Sequence, residues 1–323
     1  MEEQDKQDEQ NIPDDQRELL LKIAGCEIAK ERLDNLMQGI ADKHPCTSIC
    51  EYQYKKISKA PEDSDSKQEF SKAMFHMPEP WNGNLETAEI LFVSSNPSID
   101  LKEDFPKFES EEWSEDKKDG VVDFFSKRLK RYKNNYWTGI RKYTAWILEV
   151  TDPFWALDKE NEEDKIREIA SRVALTEIVH CKSKREAGVK KAAKMCFDTH
   201  TEKVIEYFLK APSRSGKKKI VVFVGAQARN RLCELGDINP KNATRDQVAE
   251  FCTKKFREYN QNARFLFMPH PGETGGYGGT QGSPVCAMKI VKNLFMNSCN
   301  STSSPCPVIE YRLAKIHAPL QQY

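Results

Sequence analysis

Ile90-Leu91-Phe92-Val93-Ser94-Ser95-Asn96-Pro97-Ser98 is a short apolar run that passes directly into a polar turn containing proline. Four consecutive apolar residues without alternation suit a strand buried on both faces, as in a parallel sheet. The pattern returns at Val173-Ala174-Leu175, Ile220-Val221-Val222-Phe223-Val224 and Phe265-Leu266-Phe267-Met268. Helix-length segments lie between and after these runs, at about 121–149, 163–170, 189–210, 227–236, 246–260 and 284–296. Such alternation predicts an α/β domain of three layers, α/β/α, around a central four-stranded parallel sheet. Its sites are expected at the C-terminal ends of the strands.

Working outward, residues 1–13 form a polar, acidic stretch expected to be disordered. Leu19, Leu20, Ile23, Leu33, Leu36, Met37 and Ile40 recur at helical spacing, which predicts one amphipathic helix over residues 14–42. Asp14 and Asp15 near its start complement the helix dipole. The N-terminal helical and cysteine-bearing segment runs over 14–84, with a polar connector at 61–66, and the α/β domain over 85–296. Within that domain 101–160 is a long connection rich in charge and in tryptophan (Trp113, Trp137, Trp146, Trp155), expected to form a helical lobe. Residues 297–323 are a Ser-, Cys- and Pro-rich tail without an assigned place.

Composition narrows the functional classes. The 323 residues carry 50 basic and 50 acidic side chains, so any surface for a polyanion must be local. No apolar run approaches the roughly 20 residues that span a bilayer, and the first residues lack a basic flank and an apolar stretch. A monomeric intracellular protein is expected, cytoplasmic or, in a eukaryote, nuclear, with no membrane partner. Ten cysteines are many for a reducing compartment, which turns attention to metal or cluster ligation.

Each predicted strand delivers polar groups at its end: Ser94-Ser95-Asn96-Pro97-Ser98, Thr176-Glu177-Ile178-Val179-His180-Cys181, Val224-Gly225-Ala226-Gln227 and Met268-Pro269-His270-Pro271-Gly272. Singly each reads as turn chemistry. Together, in this order, they resemble the motifs of the uracil-DNA glycosylase superfamily, and in particular its iron–sulfur branch. Ser95-Asn96-Pro97-Ser98 looks like a variant of that family's first-strand proline turn. Thr176 to Cys181, with the basic residues that follow, is similar in register to its second motif, Lys219 to Arg229 to its third, and Pro269-His270-Pro271 to its last. The resemblance covers about 85–296 and implies DNA as partner, base flipping, and hydrolysis of an N-glycosidic bond that leaves an abasic site.

Residue by residue, the resemblance implies that Asn96 positions the attacking water and that His270 stabilises the departing base. Asp100 is a candidate carboxylate, with Glu103 and Asp104 as alternatives. Phe105 and Phe108 are candidates for stacking on the base, and Ser95 for binding it. The glycine-rich stretch from Gly272 to Gly279 is suited to close approach to phosphates, with Tyr277 a candidate wedge. Glu177 stands where the family reads uracil with an asparagine. An ionised carboxylate only accepts hydrogen bonds, which favours the N4 amino group of cytosine over O4 of uracil; a protonated one would also donate to N3. The expected substrate is a modified cytosine, with phage or other foreign DNA as an expected source, in keeping with antiphage defence.

Cys181 and Cys196 enclose 14 residues, and Cys46 and Cys50 enclose three. By the same resemblance these four would hold a structural 4Fe–4S cluster, with no catalytic metal; four thiolates also suit zinc. Cys26 and the remaining cysteines show no ligand spacing. Lys182, Lys184, Arg185, Lys190, Lys191 and Lys194 lie between the paired cysteines and are candidates for phosphate contacts. Three alternatives to that activity stay open: a uracil repair glycosylase, a non-catalytic sensor of modified bases, and a hydrolase of free nucleosides or nucleotides. The missing glycine-rich phosphate loop after the first strand argues against a nucleotide-cofactor enzyme.

Overall fold

The computed structural model describes residues 12–57, 75–98, 105–108, 113–131, 135–151, 162–183, 186–212, 219–243, 245–268, 270 and 309–310. All four apolar runs are strands: β2 (Ile90–Ser94), β3 (Val173–Glu177), β4 (Ile220–Val224) and β5 (Arg264–Met268). They pair in parallel, in the order β3-β2-β4-β5. Two short strands extend this sheet to six: β1 (Trp81–Gly83) runs antiparallel beside β3, and β6 (Ile309–Glu310) runs parallel beside β5. The tail that the sequence left without a place thus supplies an edge strand.

Side chains alternate across the sheet, and the core divides accordingly. Ile90, Phe92, Val173, Leu175, Val222, Val224, Leu266 and Met268 share one cluster with Trp137, Ile140, Tyr143 and Ile147. Those four belong to α5 (Asn135–Thr151), and Ala170 of α6 (Glu162–Ser171) joins them. Leu91, Val93, Ala174, Val221, Phe223, Phe265 and Phe267 face the other way. There they meet α1 (Asp14–Ala24), α2 (Glu27–Met37), α3 (Thr47–Ile57), α4 (Glu115–Arg131), α7 (Val189–Cys196), α8 (Glu202–Lys210), α9 (Gly225–Leu235) and α10 (Arg245–Phe256). Helices therefore cover both faces of a mostly parallel sheet, the arrangement that continuous apolar strands require.

Two helix boundaries differ from expectation. The 14–42 helix is two helices, broken at Gly25 and Cys26 and ending at Met37. The break lets the chain turn so that both amphipathic faces enter the sheet's core: Leu20 and Ile23 before it, Leu33 after it. Ile40, expected on the buried stripe, is 47% exposed beyond the end of α2. In the 121–149 segment, α4 places Val121 and Phe125 on one face and Leu129 on the other, where the α5 side chains pack. The expected last helix at 284–296 and most of the 1–13 tail lie outside the described residues.

Candidate functional site

The polar groups at the strand ends converge by register. Ser94 and Glu177 are paired Cα partners, the last pair of β2 and β3. Both continue the even- and odd-numbered series that face α5: Ile90, Phe92, then Ser94; Val173, Leu175, then Glu177. His270 continues the series Leu266 and Met268 one step beyond β5. Over them lies Tyr136, from the first turn of α5. Its hydroxyl shares a short hydrogen bond with Ser94 Oγ, and its ring centroid is 5.2 Å from that of His270. This is the edge of the sheet at which parallel α/β folds bind their ligands, where β2 and β4 lead to opposite sides.

Gly225 makes room for His270. It begins α9 immediately after β4 with φ +87°, and a Cβ there would sit 3.3 Å from the Cβ of His270. Both the backbone angle and the close approach call for glycine.

Glu177 is the most unusual group in the site. It is 4% exposed, and its Oε2 has no hydrogen-bond partner among the described residues. Burial, then the negative charges of Glu79 and Glu186, push its carboxyl well above the ordinary range, against the opposing pull of Lys182 and Arg128. The shift favours the carboxylic acid, which has one donor and an acceptor. Tyr136 is pushed upward too, by burial and then by Glu177, so its hydroxyl keeps its hydrogen.

Beneath lies a buried ionic network. Glu79 Oε1 meets Arg128 Nη1 at 2.7 Å, and Oε2 stands 3.5 Å from Lys182 Nζ. Asn82 Nδ2 donates to Oε1 at 2.6 Å. Although burial acts upward, the two cations and these bonds hold the Glu79 carboxyl down to about 2. His180 locks the same segment. Its Nδ1 donates to the Glu79 carbonyl at 2.7 Å and its own carbonyl accepts from Glu79 N at 2.8 Å. Burial lowers the imidazole to about 4, so it is neutral.

Asn96 sits at the lip. Its Nδ2 donates to Ser183 Oγ at 2.9 Å and to the Pro97 carbonyl at 3.0 Å. The Ser183 amide in turn donates to Pro97 O at 3.0 Å, so the two motifs are stitched together. With its amino group engaged, Asn96 presents Oδ1 as an acceptor. Ser95 Oγ donates to Glu186 Oε2 at 2.8 Å.

The other expected positions fall into distinct groups. Phe105 is buried beneath the site, with His76 stacked on it at 5.2 Å and Lys182 Nζ 3.4 Å from its ring centre. Phe108 is also buried, its amide bonded to Phe75 O. Lys182 corrects an expectation: it is 1% exposed and paired to Glu79, so it cannot reach a phosphate. Lys190 and Lys191 are exposed on α7, and Lys194 beside them is 3.6 Å from Asp198. Asp100, Glu103, Asp104, Lys184, Arg185, Gly272 and Tyr277 lie outside the described residues.

The cysteines converge through α3 and α7. Gly188, at φ +78°, caps the N-terminus of α7 so closely against Ser48 and Ile49 that a Cβ would come within 2.6 Å of the Ile49 amide. Ser48 Oγ also donates to Gly188 O at 3.3 Å. This docking brings Cys46 and Cys50 to the side of Cys181 and Cys196. Cys50 and Cys181 hydrogen-bond to each other, which with burial raises Cys181 well above the ordinary thiol range. Burial and then Cys181 raise Cys196, and the His180 amide donates to its Sγ at 3.4 Å. Cys46 is pushed up to about 12 by burial and by the neighbouring Cys181 and Cys26. Cys26, dismissed on spacing, is the fifth thiol of the group; burial and Cys181 raise it to about 11, and His200 Nε2 lies 3.3 Å from its Sγ. All are free thiols. Among the described residues no three His, Cys, Asp or Glu side chains already stand at metal-holding spacing.

Sequence reasoning missed Glu79, Arg128, Tyr136 and Glu186. None sits in a motif, and Arg128 and Tyr136 come from the long connection 101–160. Among the described residues no helix is long and apolar enough to cross a membrane. No protein-family model matches the chain, and no curated protein matches it.

Proposed function

We propose that the protein is a monofunctional DNA glycosylase of the uracil-DNA glycosylase type, acting on a flipped base with an altered base-reading position. The observation that carries this reading is the set Ser94, Glu177 and His270 on one face of the sheet, closed over by Tyr136, with a buried Glu177 oxygen that has no partner among the described residues. A buried polar atom without a partner is costly, and a ligand that completes its hydrogen bonding removes the cost.

A neutral Glu177 accepts from an amino group with its carbonyl oxygen and donates from its hydroxyl. Cytosine offers that pair at N4 and N3, and a modified cytosine is the substrate we favour. The same acid with its hydrogen on the other oxygen matches O4 and N3–H of uracil, so neutrality weakens the exclusion of uracil that an ionised glutamate would impose. Asn96 Oδ1 accepts from the attacking water, and His270 stabilises charge on the departing base. Lys190 and Lys191 are candidate phosphate contacts. The reaction needs no lysine nucleophile, so the product is an abasic site without strand cleavage.

The donor set also fits a structural metal group. Cys46, Cys50, Cys181 and Cys196 are the four thiols that would hold a 4Fe–4S cluster, with Cys26 adjacent. Such a group would cross-link α3 to the strand-end segment and α7, and would favour the thiolates that burial disfavours.

The test is alkali-revealed abasic-site formation on duplexes carrying uracil, cytosine or bulky cytosine derivatives. Release of a cytosine derivative, lost in Asn96→Ala and His270→Ala, is the expected result. Uracil-only release overturns the cytosine assignment. Tight binding to a modified duplex without base release replaces the enzyme with a sensor, and activity confined to free nucleosides removes DNA from the reading.

A further inference from the structure

A second glutamate enters the site with a different character. Glu186 opens the turn into α7 with φ +62°, in the left-handed region that penalises a residue with a Cβ. Nothing local demands a glutamate there; glycine or asparagine would be less strained. What the conformation achieves is placement. Glu186 Oε2 accepts from Ser95 Oγ at 2.8 Å and stands 3.6 Å from Arg231 Nε. Its charge lies close enough to Glu177 to oppose ionisation there. The side chain is 20% exposed, so part of it reaches solvent. Strained backbone that persists beside a candidate site is a pattern expected where side-chain placement matters.

The two glutamates thus occupy contrasting environments. Glu177 is deep and has an oxygen without a partner among the described residues. Glu186 is shallower, beside the Asn96 turn and a guanidinium. Pairs of carboxyl groups separated in this way commonly divide their roles.

We propose that Glu186 is a catalytic residue whose carboxylate faces the sugar of the flipped nucleotide and pairs with the positive charge that develops at C1′. This rests on the glycosylase reading above. In the step, the C1′–N bond breaks and its electron pair leaves with the base. The water held at Asn96 forms the C1′–O bond and gives up a proton to the base anion. Glu186 exchanges no atom; its negative charge lowers the energy of the oxocarbenium-like sugar.

The experiment measures binding of the full chain to two duplexes, one with a cationic pyrrolidine abasic nucleotide and one with a neutral tetrahydrofuran abasic nucleotide. Wild type is expected to prefer the pyrrolidine duplex by about tenfold or more, since an ion pair at the cation is absent from the neutral analogue. Glu186→Gln keeps a hydrogen-bond acceptor for Ser95 and should bring the preference close to one, leaving tetrahydrofuran binding unchanged. Glu186→Gly removes the carboxylate while relieving the backbone, so its thermal midpoint should equal or exceed that of wild type and its preference should vanish as well. A full preference retained in Glu186→Gln overturns the assignment and leaves the glycosylase reading standing. Failure of wild type to bind either abasic duplex above undamaged DNA removes both. Equal loss of binding to both duplexes, with a lowered midpoint, makes Glu186 a structural bridge and also overturns the proposal.

Discussion

Ser94 and Glu177 face each other across the last register pair of β2 and β3, and both point to the side of the sheet that α5 covers. Burial there, with the charges of Glu79 and Glu186, raises the Glu177 carboxyl well above the ordinary range, and its Oε2 has no partner among the described residues. The consequence is measurable. The folded-state value lies above the unfolded one of about 4.5, so the native protein holds a proton that the unfolded chain releases. Stability should fall as pH rises above that value, by about 1.4 kcal/mol per pH unit, until the folded carboxyl itself ionises. The groups that set the shift are burial, Glu79 and Glu186, with Lys182 and Arg128 opposing. In Glu177→Gln this slope should disappear: the variant gains on wild type as pH rises above about 5 and not below about 4. Parallel thermal melts check it.

Glu79 holds two buried cations. Glu79→Gln leaves Arg128 and Lys182 without their counter-charge and should destabilise the fold by about 3–5 kcal/mol. The triple exchange Glu79→Gln, Arg128→Met, Lys182→Met should recover part of that loss. Urea unfolding of the two variants beside wild type measures both, and a loss below about 1 kcal/mol for Glu79→Gln would remove the network's structural importance.

Gly225→Ala should act twice. The positive φ costs about 1–2 kcal/mol for a residue with a Cβ, and the new methyl, 3.3 Å from the Cβ of His270, displaces the histidine. The expected outcome is a modest fall in thermal midpoint with base release reduced as severely as in His270→Ala. Full activity would mean that His270 tolerates displacement.

For the thiol group, protein prepared without oxygen should carry iron and acid-labile sulfide, and Cys181→Ser or Cys196→Ser should abolish both. Zinc without sulfide would assign the site to zinc, and neither element would return these residues to ordinary buried thiols. Cys26→Ser separates a fifth neighbour from a ligand, since only loss of a ligand should release the metal.

Much of this was legible in the chain itself. The four strands could be read because residues buried on both faces must be continuously apolar, and no other short element demands this. The polar ends of those strands were visible for the same reason, as abrupt changes of character after Val93, Leu175, Val224 and Met268. Helix boundaries were less legible. The break at Gly25 is decided by which face each segment must bury, and a periodic pattern does not state that. The burial of Lys182 was hidden too, because its partner Glu79 is distant in sequence and belongs to no motif.

What the sequence by itself determined is the α/β layering and the identities of Asn96, Glu177 and His270 at the strand ends. Only the tertiary structure decided their states. Local sequence sets backbone pairing and side-chain alternation, but a carboxyl's charge depends on every group packed around it. Burial, then Glu79 and Glu186, push the Glu177 carboxyl upward, and Tyr136 arrives over it from another segment of the chain. Those neighbours are separated along the chain by long stretches of residues, and folding alone brings them together.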